Sequence, residues 1–185
     1  MDFLELLAKP SADTINVGLK SAGAAALIEL LGNPRANYTG DCQPITNPKL
    51  KPNIKTESVG PFRATGHVTA LQSMREVFAA VKIEVPELHA ILGSAGMTCA
   101  RLVKLPKGKL GKNPSNHSWG LAIDITLKGN LDRQGDNKVQ RGLLILARYF
   151  NAAGWYWGAA FNTEDGMHFE PSIGLLKTWR KEGKI

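Results

Sequence analysis

Two histidines and two aspartates in this chain are spaced for metal chemistry. The stretch Ser115-Asn116-His117-Ser118-Trp119-Gly120-Leu121-Ala122-Ile123-Asp124 sets an imidazole and a carboxylate seven residues apart, across a glycine and an apolar run. Further on, Asp165-Gly166-Met167-His168 adds a second imidazole, with a carboxylate three residues before it. Two His and one Asp make a three-ligand zinc set, and zinc sites with three protein ligands and an open fourth position are catalytic more often than structural. That count leaves Asp165 as a spare carboxylate, available as a base.

Each member has an ordinary reading of its own. Asp124 is flanked by Ile123 and Ile125, and a lone carboxylate in such a setting is costly unless it is paired or holds a metal. A salt-bridged or edge-exposed Asp is the alternative. His117 alone reads as a loop histidine after a Pro-Ser-Asn turn, with Gly120 letting the backbone turn toward Asp124. Strand alternation puts His168 and Glu170 on one face. Glu170 could then hydrogen-bond a ligand imidazole and fix its tautomer. Specificity comes from the conjunction of His-x6-Asp with a downstream Asp-x-x-His.

The elements that must position these residues follow from periodicity. Residues 22–31 predict a short helix on Ala24, Leu27, Ile28 and Leu31, and 33–64, rich in Pro, Asn, Gly and Thr, an irregular strap. Residues 66–82 predict a helix with a stripe of Val68, Leu71, Met74, Phe78 and Val81, and Thr65 as a possible N-cap. Residues 90–99 read as a strand, 102–116 as a basic loop and 121–127 as a short apolar strand. Residues 138–152 read as an amphipathic helix, 154–160 and 167–170 as short strands, and 173–181 as a closing helix. Short strands with helices between and around them make an α+β domain. At 185 residues the chain reads as one domain, with 1–64 an N-terminal helix plus strap and about 90–172 the catalytic core.

Composition narrows the partners. Hydrophobic residues make up 43% and charged residues 21%, ordinary for a soluble globular protein. A net charge of +7 and a pI near 9.5 favour anionic partners: nucleic acid, anionic lipid or a polyanionic cell wall. Arg101, Lys104, Lys107, Lys109 and Lys112 place five cations in twelve residues, either a substrate-attracting patch or a solvated loop. A basic nucleic-acid-binding domain would explain the charge but not the His/Asp set, and no recognition motif is present. No apolar run approaches a membrane span. The opening Met1-Asp2-Phe3-Leu4-Glu5 has no basic leader region, and the apolar run to Leu31 contains Glu29 and ends in Gly-Asn-Pro, as a helix does. Cys42 and Cys99 form one bridge or remain free, with small buried thiols the expected reading. Asp132 and Asp136 fail the EF-hand spacing and read as a turn. His67 and His89 read as surface or helix-end residues, and Trp119, Trp155 and Trp157 as core rather than cleft walls.

The motif residues resemble the zinc peptidases that cut peptidoglycan stem peptides: VanY- and VanX-like D-Ala-D-Ala peptidases and endolysin-type L-alanyl-D-glutamate peptidases. The signature Ser-x-His-x-x-Gly-x-Ala-x-Asp is complete in Ser115, His117, Gly120, Ala122 and Asp124. The second motif corresponds to Asp165, His168 and Phe169. The resemblance covers roughly residues 90–172. It implies a small central antiparallel sheet carrying the zinc and flanked by helices, a fold shared with the Hedgehog N-terminal domain. It also implies one zinc per chain on His117, Asp124 and His168, with Asp165 as the base. Arg101 matches the Arg that steadies the tetrahedral intermediate, although the aromatic usual before it is absent. Ser115 and Glu170 would touch substrate or orient a ligand. Asp rather than Glu at the base position tilts the reading to an L-Ala-D-Glu endopeptidase, with a D-Ala-D-Ala carboxypeptidase or a non-catalytic zinc domain as alternatives. The substrate would lie in the bacterial wall, in the periplasm or outside. A chain without a leader would then need holin release or a secretion system, or be a piece of a longer protein. A monomer is expected.

Overall fold

The structure is a computed structural model that describes residues 1–185, the side chain of Pro106 excepted. In chain order the elements are β1 (Leu6–Ala8), α1 (Ala24–Leu31), β2 (Ile54–Ser58), β3 (Arg63–His67), α2 (Val68–Glu84), α3 (Pro86–His89), β4 (Leu92–Gly96), β5 (Leu102–Lys104), β6 (Leu110–Pro114), β7 (Ile123–Leu127), β8 (Lys138–Gln140), α4 (Arg141–Ala152), β9 (Trp155–Trp157), β10 (His168–Pro171) and α5 (Ile173–Lys181). Strands β4, β7, β10 and β9 form an antiparallel sheet in that order, and β1–β8, β2–β3 and β5–β6 are separate two-stranded ribbons. The architecture is α+β, as the element pattern predicts.

One face of the sheet carries polar residues and the other is apolar. Phe169, whose neighbours on β10 are His168 and Glu170, points to the opposite face by strand alternation. There it stacks on Phe150 of α4 with ring centroids 4.4 Å apart. Phe150 also meets Phe78 of α2 edge-on at 5.7 Å and Trp155 at 5.3 Å. Helix α2 buries Leu71, Met74, Phe78 and Val81 of the stripe its periodicity marks, and leaves Val68 half-buried at its start. Trp119, Trp155 and Trp157 are all fully buried, as core residues should be. Aromatic burial of this kind contributes about 1.5–3 kcal/mol per side chain, and it supports the strands that carry Asp124 and His168 from behind.

Several local expectations change. The strap is not wholly irregular: residues 54–58 pair with 63–67 in a ribbon whose exposed Lys55, Thr56 and Ser58 hide the strand signal. Because that pairing runs through His67, Thr65 lies within a strand and bonds Thr56, and the N-cap of α2 is His67, whose Nδ1 accepts from Thr69 N–H at 3.3 Å. His67 is thus a helix-end histidine, but fully buried rather than on the surface. The basic loop is a hairpin, β5–β6, turned by Lys107 and Gly108 at positive φ. The helix expected from residue 138 starts at Arg141, because Lys138–Gln140 pairs with Leu6–Ala8. Cys42 and Cys99 are bridged rather than free. Gln43 and Ala100 exchange two backbone hydrogen bonds, at 3.0 and 3.2 Å, and this brings the neighbouring cysteines together, Cα atoms 4.9 Å apart.

Candidate metal centre

Register alone brings Asp124 and His168 together. They are direct partners across the antiparallel pair β7–β10, so their side chains leave the same face. His117 arrives from a 3-10 turn, Asn116–Trp119, which ends at Gly120. Gly120 adopts φ 64°, and a Cβ there would lie 2.8 Å from Thr98 Oγ1 and 3.0 Å from His67 N. Glycine therefore serves both the left-handed turn and the close packing. The turn is locked to the preceding segment: Cys99 N–H donates to His117 O at 3.0 Å, and Ser118 Oγ accepts from Arg101 N–H at 3.2 Å.

His117 Nε2 and His168 Nδ1 each lie 3.3 Å from Asp124 Oδ1, and one ligand atom from each of the three residues falls within 4.8 Å of the others. Two atoms bound at about 2.0–2.1 Å to one tetrahedral ion would be roughly 3.3 Å apart, so the spacing fits a single small cation. The far nitrogens are engaged. His117 Nδ1 meets the Met97 carbonyl at 3.0 Å, and His168 Nε2 meets Glu170 Oε2 at 2.9 Å. Both partners are acceptors, so with a metal bound each far nitrogen would keep the ring proton and each near nitrogen would offer its lone pair beside Asp124. Asp124 Oδ1 is buried and has no hydrogen bond of acceptable geometry. Converging lone pairs around a buried carboxylate oxygen are unfavourable without a positive charge among them. The donor set therefore fits zinc, which prefers His nitrogen and carboxylate oxygen in this number.

The electrostatics agree. Burial works to raise the Asp124 carboxyl, but the two imidazoles overcome it and hold the group well below the usual carboxylate range. Burial works to lower His168, but Asp124 and Glu170 on either side raise it above the ordinary imidazole value. A divalent cation would take the place of that proton.

Glu170 is the hub behind His168. Besides that imidazole it accepts from Asn116 Nδ2 at 2.7 Å and from Ser21 Oγ at 2.6 Å. Asn116 also donates to Ala22 O at 2.8 Å. The N-terminal segment thus closes one side of the cleft. Asn116 stands within the first motif and was open to notice. Ser21 lies far from it in sequence, and no pattern could mark it.

Asp165 lies in the same cleft, of about 440 Å³, as the three clustered residues, Arg101, Ser115 and Glu170. Its Oδ1 is buried without a partner and its Oδ2 accepts from Gln134 Nε2 at 3.1 Å. Burial is the largest influence on its carboxyl and raises it, so this group holds a proton more readily than a surface Asp. The turn that carries it is pinned by Trp157 Nε1, which donates to Gly166 O at 2.7 Å. Glu164, the neighbouring carboxylate, is buried and accepts from Gly135 N–H at 2.7 Å and Asn137 N–H at 2.9 Å. It is a loop clamp and does not line the cleft. Arg101 sits just before β5, its Nη1 donating to Leu102 O at 3.1 Å, with no ion pair among the described residues. Ser115 is buried and its N–H donates to Arg101 O at 2.9 Å. A larger groove, about 1060 Å³, is lined by Phe3, Leu7, Ile91, Leu144 and Ile145 and holds none of these groups.

A family model described as D-alanyl-D-alanine carboxypeptidase matches residues 109–171, the span that carries both motifs. The match covers about a third of the chain, and it supports a peptidase acting on peptidoglycan. Neither a curated protein nor a solved structure matches.

Proposed function

We propose that this protein is a zinc-dependent peptidase that hydrolyses a peptide bond in peptidoglycan stem peptides, as an L-Ala-D-Glu endopeptidase. The observation that carries the reading is the convergence of His117 Nε2, His168 Nδ1 and Asp124 Oδ1 in one cleft with a buried, half-partnered Asp165. A pure binding domain has no use for that second carboxylate.

His117, Asp124 and His168 would hold the ion. Zinc bound there supplies Lewis acidity, lowering the pKa of a water and polarising the scissile carbonyl. Asp165 Oδ1 takes the proton of the attacking water and returns it to the leaving amine, a task suited to a carboxyl raised by burial. Arg101, in the same cleft, donates to the carbonyl oxygen as negative charge develops. Met97 O and Glu170 keep the imidazole protons on the far nitrogens, and Ser115 borders the substrate path. Lys104 beside Arg101 draws the stem-peptide carboxylates inward.

A D-Ala-D-Ala carboxypeptidase is the second reading, favoured by the description of the matching family model. Asp at the base position favours the endopeptidase. Mass spectrometry of muropeptides after digestion separates them. New N-terminal D-Glu supports the endopeptidase, release of D-Ala the carboxypeptidase, and an unchanged muropeptide profile removes both. The wall, in the periplasm or outside the cell, is the site of action this reading requires. No helix is long and apolar enough to cross a membrane.

A further inference from the structure

A carboxylate acting as base must present one oxygen to its substrate, yet its terminal torsion is broad and twofold. Something has to choose between the two oxygens. At Asp165 the only hydrogen-bond donor that meets either oxygen, among the described residues, is Gln134 Nε2, on Oδ2. Gln134 is exposed and lies on the cleft wall. It belongs to the loop 131–137, whose sequence shows only a turn with two aspartates.

That loop is tied down on both sides of Gln134. Gly135 N–H donates to Glu164 Oε1 at 2.7 Å and, more weakly, to the Glu164 carbonyl at 3.1 Å. Asn137 N–H donates to Glu164 Oε2 at 2.9 Å, and Gln140 N–H to Asp132 Oδ1 at 3.0 Å. Glu164 thus fixes the loop backbone against the segment that carries Asp165, and Asp132 braces the loop from its other end. Gly135, at φ 82°, makes the turn directly after Gln134. The choice of an amide also has a chemical reason. A Lys or Arg at this place would pair with Asp165 and weaken it as a base. A neutral N–H orients the carboxylate while leaving its charge for the reaction.

We propose that Gln134 is a positioning residue for Asp165: its amide holds Oδ2, so that Oδ1 faces the reacting water. This rests on the reading of Asp165 as the base. The test compares Gln134→Ala, Gln134→Glu and Asp165→Ala with the wild type. Muropeptide cleavage gives kcat and KM, zinc titration gives affinity, and the Gln134 side-chain amide resonance is followed by NMR in zinc-free protein. Gln134→Ala should lower kcat about tenfold or more, the worth of one hydrogen bond to a carboxylate, with KM and zinc affinity within twofold. Gln134→Glu keeps the shape but replaces the donor with an acceptor, and should lose at least as much. A merely structural role predicts near-normal kcat for Gln134→Glu, and that result overturns the proposal. In the wild type the Gln134 amide should resonate away from free glutamine and return to it in Asp165→Ala. A free-like resonance in the wild type also overturns it. If Asp165→Ala is inactive while Gln134→Ala has wild-type kcat, the positioning role alone falls. If Asp165→Ala is fully active, the base assignment falls and the Gln134 role falls with it.

Discussion

The floor of the cleft, on β7 and β10, is largely buried, and His168 and Glu170 are tied into a network with Ser21 and Asn116. Its rim, the β5–β6 hairpin, is exposed: Lys104, Lys107, Lys109 and Lys112 make no ion pair among the described residues, and Leu105 and Leu110 are about half exposed. A floor packed against Phe150 and Trp157 through Phe169 can hold ligand atoms to a few tenths of an ångström. A solvated hairpin cannot, and its charges act at longer range through water and salt. Changes to the floor should therefore cost orders of magnitude, and changes to the rim only factors of a few.

The largest effect is expected at the base. Asp165→Ala should lower kcat for muropeptide cleavage by about 10²–10⁴-fold while one zinc per chain remains bound, as metal analysis would show. Full turnover in that variant would remove Asp165 from the mechanism. Next comes the hub behind His168. Glu170→Ala leaves the ring proton without its acceptor and should weaken zinc binding about 10–100-fold, read by competition with a chelator. Unchanged affinity would mean that strand register alone orients His168.

Asp132 belongs to neither region: it anchors the loop that presents Gln134. Burial, with Asp136, Glu164 and Asp165 adding to it, raises its carboxyl to about 6. A raised carboxyl contributes stability that is fully present below its unfolded value near 3.8 and is lost as pH rises through about 6. Asp132→Asn removes that loss. The variant should match the wild type near pH 4 and exceed it near pH 7.5, by on the order of 1–2 kcal/mol once screening is allowed for. Denaturant melts at the two pH values check this, and a difference that does not change with pH would contradict it.

The smallest effects belong to the rim. Lys104→Glu together with Lys109→Glu should raise KM a few-fold at low salt and leave kcat unchanged. The difference should fade at high ionic strength. A tenfold loss of kcat would show that the hairpin belongs with the floor.

The same division decided what the sequence could reveal. His117, Asp124, His168 and Glu170 were legible because alternation and a tight glycine turn are local, and two short stretches contain all four. Helices α2 and α5 were legible from their apolar spacing. The ribbons β2–β3 and β1–β8 were not, because all four strands are short and β1 and β2 are mostly exposed, so pairing rather than composition defines them. The Cys42–Cys99 bridge depends on Gln43 pairing with Ala100, a contact between distant segments. Gln134 and Ser21 reach the site only through the fold. Glu164, the carboxylate next to Asp165, is claimed by two backbone N–H groups that no spacing rule could foretell.

Zinc titration of chelator-stripped protein, with muropeptide cleavage as the readout, tests the central claim most directly. Activity should be absent in the stripped protein, rise in proportion to added zinc and level off at one equivalent per chain. Full activity in protein shown to be free of metal would contradict the account.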